Sequence, residues 1–180
     1  MKRVTSLLAA LLMISACGPS ASPDSAPAPV ADNQMLETLF AADQAVRKGG
    51  GPDLTQSMAD AERRDQVRAM LDRGEVRSGA DYWRAGFIFQ HGDRPDDFLL
   101  AHALATAALS QGEPDGAWLA AASLDRYLLA TGRPQIYGTQ FIAFSDQPTI
   151  QSALDRDLLT DSLRRATRVP PLGEQRPPRH

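Results

Sequence analysis

The chain lacks several features that whole classes of protein depend on. It has one cysteine among 180 residues, so no internal disulfide can form and the fold must rest on packing alone. After residues 1–16, no apolar run is long enough to cross a bilayer. Acidic residues outnumber basic ones, giving a formal net charge of −3. This balance disfavours nucleic acid and anionic membrane surfaces as partners.

Short catalytic and cofactor motifs are also missing. There is no phosphate-binding P-loop, no dinucleotide fingerprint, and no HExxH, CxxC or GxSxG pattern. The three histidines, His91, His102 and His180, do not have metal-ligand spacing. Gly49-Gly50-Gly51 favours a helix stop and flexible joint over a phosphate-binding loop. We therefore expect no cofactor and no metal.

The first residues have the layout of a cleavable export signal. Lys2 and Arg3 supply positive charge, residues 7–14 form a short apolar core, and Ser15-Ala16 supplies small residues for cleavage. The apolar core is too short to serve as a final membrane span. We therefore assign residues 1–16 to a signal peptide.

The cysteine that follows indicates which type of export signal this is. Ile14-Ser15-Ala16-Cys17 resembles the lipobox of bacterial lipoproteins. In that family the cysteine thiol receives a diacylglycerol, cleavage occurs just before it, and the new amino group is acylated as well. The resemblance implies that the membrane is a partner through the lipid on Cys17. Gly18 stands where an Asp often marks inner-membrane retention, which favours the outer membrane, facing the periplasm. An ordinary signal peptide with an incidental cysteine is the alternative.

The rest of the chain divides into a tether, a domain and a tail. Residues 17–32 contain the lipidated cysteine and a Pro/Ala/Ser-rich segment without apolar periodicity, which predicts a disordered tether. Residues 33–168 have apolar residues at helical spacing and predict a helical domain. The proline-rich residues 169–180 predict an irregular tail.

Glycine stops and capping residues divide the domain into helices. The patterns predict helices over about 35–48, 58–73, 79–91, 95–112, 113–132 and 160–167, with Ser78-Gly79-Ala80-Asp81 as a capping box. Residues 141–144 and 149–152 favour a small hairpin. Because the connections are short, neighbouring helices should be antiparallel. The predicted fold is mainly α: an antiparallel helical bundle or helical-hairpin array of five to six helices, with at most one short β-hairpin near 141–152.

Three polar residues lie in unusual positions on the predicted helices. Asp125 falls in the middle of an apolar stripe, His102 lies on the apolar face of its helix, and Gln90 lies near Gly86. A buried carboxylate must be paired or must take up a proton. One interpretation is a buried polar network that fixes helix register. The other is a pocket whose groups have shifted pKa values suited to acid–base chemistry.

Four short segments stand out: Gln90-His91, Asp125-Arg126, Gln135-Ile136-Tyr137-Gly138-Thr139-Gln140 and Pro170-Pro171-Leu172. Together they resemble the recurring signatures of an uncharacterised family of bacterial proteins, known as a domain of unknown function. The resemblance covers roughly residues 61–172. It implies no activity, but it implies that these residues belong to one domain.

We expect the signature residues to converge in space. The set is Gln90, His91, Asp125, Arg126, Tyr137 and Gln140, with His102 as a further candidate. Because Asp125 and Arg126 are adjacent on a helix, their side chains point about 100° apart. We therefore expect Asp125 to face inward and Arg126 to pair elsewhere, with Gln135 or a backbone carbonyl.

Two hypotheses of function follow. The first is a lipid-anchored module of the cell envelope that binds a protein, peptide or glycan partner. The second is a small hydrolase with His91 or His102 as the base and Asp125 as the orienting carboxylate. No serine or cysteine nucleophile is evident beside these residues, so the binding module is the favoured hypothesis.

Overall fold

The computed structural model describes residues 30–47, 54–144 and 146–177. Within them the protein is mainly α-helical, as predicted, with one short antiparallel hairpin. The predicted signal peptide, Cys17, most of the tether and Gly49-Gly50-Gly51 lie outside the described residues. The helices are α1 (Gln34–Arg47), α2 (Leu54–Asp72), α3 (Gly79–Gln90), α4 (Pro95–Ser110), α5 (Gly116–Ala130) and α6 (Asp161–Ala166). None of these helices is long and apolar enough to cross a membrane.

Local sequence signals set the ends of these helices. The predicted capping box opens α3: Ser78 Oγ accepts from Asp81 N at 3.0 Å, and the Asp81 carboxylate accepts from Ser78 N at 3.3 Å. Thr160 Oγ1 caps α6 by accepting from Leu163 N at 3.2 Å. The predicted glycine stops follow α2, α4 and α5 with positive φ; they are Gly74, Gly112 and Gly132.

The core is built mainly where α3, α4 and α5 pack together and where α1 and α2 close over them. A close approach between α4 and α5 depends on Gly116, where a Cβ would lie 2.7 Å from the Ala105 carbonyl oxygen. Burial of apolar side chains between these helices is the main stabilising contribution. The central cluster includes Leu36, Val67, Met70, Ala85, Ile88, Phe89, Ala101 and Leu104.

Helices α1 and α3 run in the same direction. At their N-terminal ends, Asn33 N donates to Asp81 Oδ1 at 2.8 Å. Towards their C-terminal ends, Asp43 Oδ2 lies 2.8 Å from His91 Nδ1. The short connections on either side of α4 make α5 parallel to α3 as well. The residues that precede α1 therefore lie at one end of the bundle, and the C-terminal ends of α1 and α3 lie at the other.

The hairpin is shorter than predicted. Strands β1 (Phe141–Ile142) and β2 (Ile150–Gln151) pair antiparallel, with Phe141 opposite Gln151. The two strands lie within the predicted segments 141–144 and 149–152. Gln135 fixes the hairpin to the preceding loop, because its side-chain amide donates to the carbonyls of Gln140 and Ser152.

The C-terminal segment packs against the domain, which the prediction of an irregular tail did not include. A 3₁₀ turn covers Leu172–Glu174, and Val169 is buried. Gln175 Nε2 donates to the Tyr137 carbonyl oxygen at 2.8 Å. The prolines prevent a regular α-helix in this segment. The burial of Val169 and the hydrogen bond from Gln175 nevertheless hold the segment against the domain.

Candidate functional site

A histidine–carboxylate pair joins α1 to the end of α3. His91 is the C-cap residue of α3, and its Nδ1 lies 2.8 Å from Oδ2 of Asp43. The Asp43 side chain is 1% exposed, whereas that of His91 is 17% exposed. When Nδ1 carries the proton that is donated to Asp43, the other ring nitrogen, Nε2, is a free acceptor. Nε2 has no hydrogen bond within the described residues and is not sealed from solvent.

Two arginines extend this pair towards α2. Arg47 Nη2 lies 3.2 Å from Asp43 and 2.8 Å from Asp60, so it bridges the two carboxylates. Arg63 also donates to Asp60. Burial acts to raise the pKa of Asp60, but the hydrogen bonds and charges of Arg47 and Arg63 outweigh burial and hold that pKa below its ordinary value. The carboxylates and guanidiniums here are matched in number.

Arg126 on α5 breaks this balance. It is largely buried, its Nε has no hydrogen-bond partner, and it forms no ion pair within the described residues. Burial and, next, repulsion from Arg47 lower the pKa of Arg126. We call the set of Asp43, Arg47, His91 and Arg126 the cationic cluster. Its two arginines and one carboxylate leave one positive charge that no described side chain neutralises.

Further buried polar atoms without a hydrogen-bond partner lie on α1, α2, α3 and α5. Gln90 is 3% exposed and its Oε1 has no partner. Buried polar atoms in proteins are almost always hydrogen-bonded, so each exception marks an atom at which a bound water or ion is expected. Within the described residues these atoms are Arg47 Nε, Arg63 Nε, Trp83 Nε1, Gln90 Oε1 and Arg126 Nε.

Asp125 has a different role, which is to hold the Tyr-Gly-Thr-Gln loop. It is fully buried and accepts five hydrogen bonds of 2.8–3.0 Å, four from successive backbone amides and one from a hydroxyl. The donors are Ile136 N, Tyr137 N, Gly138 N, Thr139 N and Thr139 Oγ1. Both carboxylate oxygens are fully used, so Asp125 orders the loop and has no oxygen free to orient a base.

Two other predicted residues, Tyr137 and Gln140, belong to this same loop. Gln140 N donates to Gln135 Oε1 at 2.9 Å, and Gln140 Nε2 lies 3.3 Å from the Ala122 carbonyl oxygen. Burial and the charge of Asp125 raise the pKa of Tyr137. The side chains of Asp125 and Gln140, both candidates from the sequence, therefore attach the loop to α5.

Hydrogen bonds among the described residues divide the predicted set into two networks. Asp125, Tyr137 and Gln140 hold the loop, whereas His91 bonds Asp43, and no hydrogen bond joins the two sets within the described residues. The expected pairing of a histidine with Asp125 is not present, because His102 Nδ1 bonds the Ala120 carbonyl at 2.9 Å and His91 bonds Asp43. Within the described residues Arg126 pairs neither with a backbone carbonyl nor with Gln135, which is engaged by the loop and the hairpin.

Sequence reasoning missed Asp43, Arg47, Asp60 and Arg63. A signal for Asp43 was available, because it follows Leu36 and Leu39 by seven and four residues and so lies on the same apolar face of α1. The same argument had singled out Asp125. The identity of its partner, His91, had no such signal.

Two pockets on the described surface lie apart from the cationic cluster. One, of about 250 Å³, is lined by charged residues that include Arg64, Asp93 and Asp97. Arg64 pairs with both of these carboxylates, at 3.5 and 3.7 Å, so its charge is already neutralised. The other, of about 190 Å³, lies beside Trp118 and Thr139. Within the described residues no group of three or more His, Cys, Asp or Glu side chains could hold a metal ion.

Comparisons with known protein families, with curated proteins and with solved structures found no match. The fold defines the protein as a mainly-α bundle with a short hairpin. The cationic cluster is therefore the feature of the molecule that indicates its function.

Proposed function

We propose that this chain is an exported lipoprotein, anchored through Cys17 to the outer membrane and facing the periplasm. Its helical domain is a binding module whose ligand carries an anionic group, either a carboxylate or a phosphate. The ligand binds at the cationic cluster. The observation that carries the proposal is Arg126, a largely buried guanidinium that is repelled by the charge of Arg47 and forms no ion pair within the described residues.

The energetics of Arg126 favour an anionic ligand. A buried charge that lacks a partner is destabilising, and the lowered pKa of Arg126 expresses that penalty. An anion between Arg47 and Arg126 would neutralise the excess charge and would give the guanidinium donors acceptors. Arginine suits this task because its planar donor fork matches the geometry of carboxylate and phosphate.

The position of the cluster agrees with a tethered binding module. The chain enters the domain at the N-terminal ends of α1 and α3, where Asn33 contacts Asp81. The Asp43–His91 pair lies at the other end of α3, a helix of 12 residues. At about 1.5 Å per residue this places the cluster about 18 Å from the point of entry. A ligand can approach that end without meeting the anchor.

The test uses inorganic phosphate and citrate as probes, with calorimetry and thermal unfolding of the full chain. We expect both anions to bind and to raise the melting temperature of the wild type. Arg126→Met should abolish both effects, whereas Arg133→Met, a change at an exposed arginine just after the same helix, should leave them intact.

Arg126→Met has a second expected result in the absence of added anion. Because Arg126 is destabilised by burial and by Arg47, the variant should be more stable than the wild type, by about 0.5–2 kcal/mol in urea unfolding. A destabilised variant, or anion binding that survives the change, would contradict the proposal.

The second candidate function is a hydrolase, which the His91–Asp43 pair favours. Asp43 holds Nδ1 at 2.8 Å, so Nε2 is positioned to take a proton from an attacking water. The cationic cluster would hold the anionic part of the substrate. Water is the nucleophile in this scheme.

Aryl phosphates and aryl esters would test the hydrolase. Asp43→Asn should lower kcat with little change in KM, because it alters the tautomer of His91 without removing the arginines. His91→Gln should abolish turnover but preserve anion binding. If the wild type binds phosphate but hydrolyses none of these substrates, the result supports the binding module and contradicts the hydrolase.

A further inference from the structure

We infer that the ligand of the cationic cluster is an acidic sugar, whose ring lies on a strip of aromatic side chains leading away from His91. This inference rests on the proposed anion binding and adds the chemical class of the ligand. We call Phe40, Trp83, Phe87 and Trp118 the aromatic strip.

The strip is continuous and joins the cationic cluster. Ring centroids of Phe40 and Trp83 are 5.0 Å apart, and those of Trp83 and Phe87 are 4.9 Å apart. Phe87 then stacks on Trp118 at 6.2 Å with an interplanar angle of 18°. At the other side, the Phe87 ring lies 6.4 Å from the His91 ring.

Helical spacing explains why the strip and the cluster form one surface. Trp83, Phe87 and His91 follow one another at intervals of four residues and so form a row along α3. Phe40 and Asp43 are three residues apart on α1, and Trp118 and Arg126 are eight apart on α5. Each of the three parallel helices therefore presents aromatic groups first and polar or charged groups nearer its C-terminal end.

The strip is not a closed core. Trp118 is 36% exposed, and Phe40, Trp83 and Phe87 are each partly exposed. Trp83 Nε1 has no hydrogen-bond partner within the described residues, although the indole N–H of a buried tryptophan usually finds one. Four partly exposed rings in contact form a continuous aromatic surface of the kind that binds a ligand.

The pairing of flat apolar rings with positive charge indicates the chemical class of the ligand. A pyranose ring has apolar C–H faces that stack on aromatic rings and hydroxyl edges that take hydrogen bonds. A carboxylate on that ring would meet Arg47 and Arg126 while the ring lies against Phe87 and Trp118. The row from Trp83 to His91 spans about 12 Å at 1.5 Å per residue, which accommodates more than one linked ring.

The experiment separates ring from charge with matched probes. Galacturonate has both, gluconate has the charge on an open chain, and galactose has the ring without the charge. Inorganic phosphate reports on the anion site alone. Trp83 and Trp118 are the two tryptophans of the chain, so intrinsic fluorescence of the full chain reports directly on the strip.

We expect galacturonate to bind at least about fivefold more tightly than gluconate, the factor that corresponds to about 1 kcal/mol of aromatic contact, and to change the tryptophan emission. Galactose should bind far more weakly than galacturonate. Trp118→Ala should remove the preference for galacturonate and leave phosphate binding unchanged. Phe144→Ala, at an exposed aromatic residue outside the strip, should change neither.

Three results would overturn the inference. Equal affinity for galacturonate and gluconate would be consistent with anion binding but would show that the protein does not recognise the sugar ring. Tighter binding of an acidic peptide that contains phenylalanine would assign the strip to a peptide. Failure of phosphate as well as galacturonate to bind would overturn the proposed function together with this inference.

Discussion

Asp43 and Asp125 are both fully buried aspartates, but their surroundings give them different roles. Asp125 accepts five hydrogen bonds from a single loop, so its charge is dispersed over fixed donors. Asp43 shares its charge with His91, Arg47 and Gln44, all of which are side chains. Side chains can exchange partners when a ligand arrives, whereas the backbone amides around Asp125 cannot do so without unfolding the loop.

Asp125→Ala should strongly destabilise the protein. The change leaves four backbone amides and one hydroxyl without their acceptor, and we expect a loss of about 3–5 kcal/mol in the free energy of unfolding. Urea denaturation measures this. Asp157→Ala, the same change at an exposed aspartate, is the control and should alter stability little. A loss below about 1 kcal/mol for Asp125→Ala would show that the loop does not depend on it.

Asp60 should contribute to the acid sensitivity of the protein. Its pKa in the folded protein lies below the ordinary value of 3.8, because hydrogen bonds from Arg47 and Arg63 outweigh burial. The stability that its charge contributes is therefore complete above the unfolded pKa and is lost as pH falls through the folded pKa. The difference in unfolding free energy between wild type and Asp60→Asn should be largest near pH 7 and should shrink below about pH 4. A constant difference from about pH 7 to pH 3 would contradict this.

At the scale of elements, α3 organises the structure because both of its ends are tied to α1. Its capping box is extended by Ser78 Oγ, which donates to Asp32 at 2.7 Å, and by Asp81, which accepts from Asn33 N. Its other end is tied through the Asp43–His91 pair. The capping-box residues that start α3 therefore also make tertiary contacts. Together with the Asp43–His91 pair, these contacts hold α1 in a fixed register along α3.

Gly116→Ala should destabilise the contact between α4 and α5, although alanine has the higher helix propensity. The added Cβ would lie 2.7 Å from the Ala105 carbonyl oxygen, a backbone atom that cannot move without shifting α4. We expect a loss of about 1–3 kcal/mol by thermal or urea unfolding. Gly173→Ala has open space around the new Cβ and serves as the control. A neutral Gly116→Ala would mean that the two helices separate at little cost.

At the scale of the whole molecule, parallel α1 and α3 separate the two ends of the domain. Asp32, Asn33 and Asp81 lie where the chain enters, and His91 and Asp43 lie at the far end of α3. A lipid anchor before residue 30 would therefore be joined to the domain at the entry end, at the opposite end of α3 from the Asp43–His91 pair.

Lipidation at Cys17 is expected to be detectable in cells. Radiolabelled palmitate should enter the wild-type protein and should not enter Cys17→Ser, because the thiol is the acceptor in the lipobox that Ile14-Ser15-Ala16-Cys17 resembles. Membrane fractionation should find the wild type in the outer membrane and the variant released from it. A mature mass that matches an unmodified chain cut elsewhere would refute the anchor.

The sequence by itself determined the helical elements of this protein and where they end. Ser78 with Asp81, Thr160, Pro95 and the glycines after α2, α4 and α5 act on backbone groups only a few residues away. Such signals do not depend on the rest of the fold. The pattern also showed that Asp125 must be buried and must have partners, because a charge in an apolar stripe cannot remain alone.

Only the tertiary structure decided which partners those are. Asp43 and His91 are 48 residues apart, and their contact depends on α1 and α3 running in the same direction. Arg126 follows Asp125 directly, but whether a carboxylate or another arginine acts on its charge depends on which residues the folded bundle brings near it. A sequence pattern fixes the face on which a side chain lies. It does not fix what faces it across a helix interface, because that depends on the packing of the whole bundle.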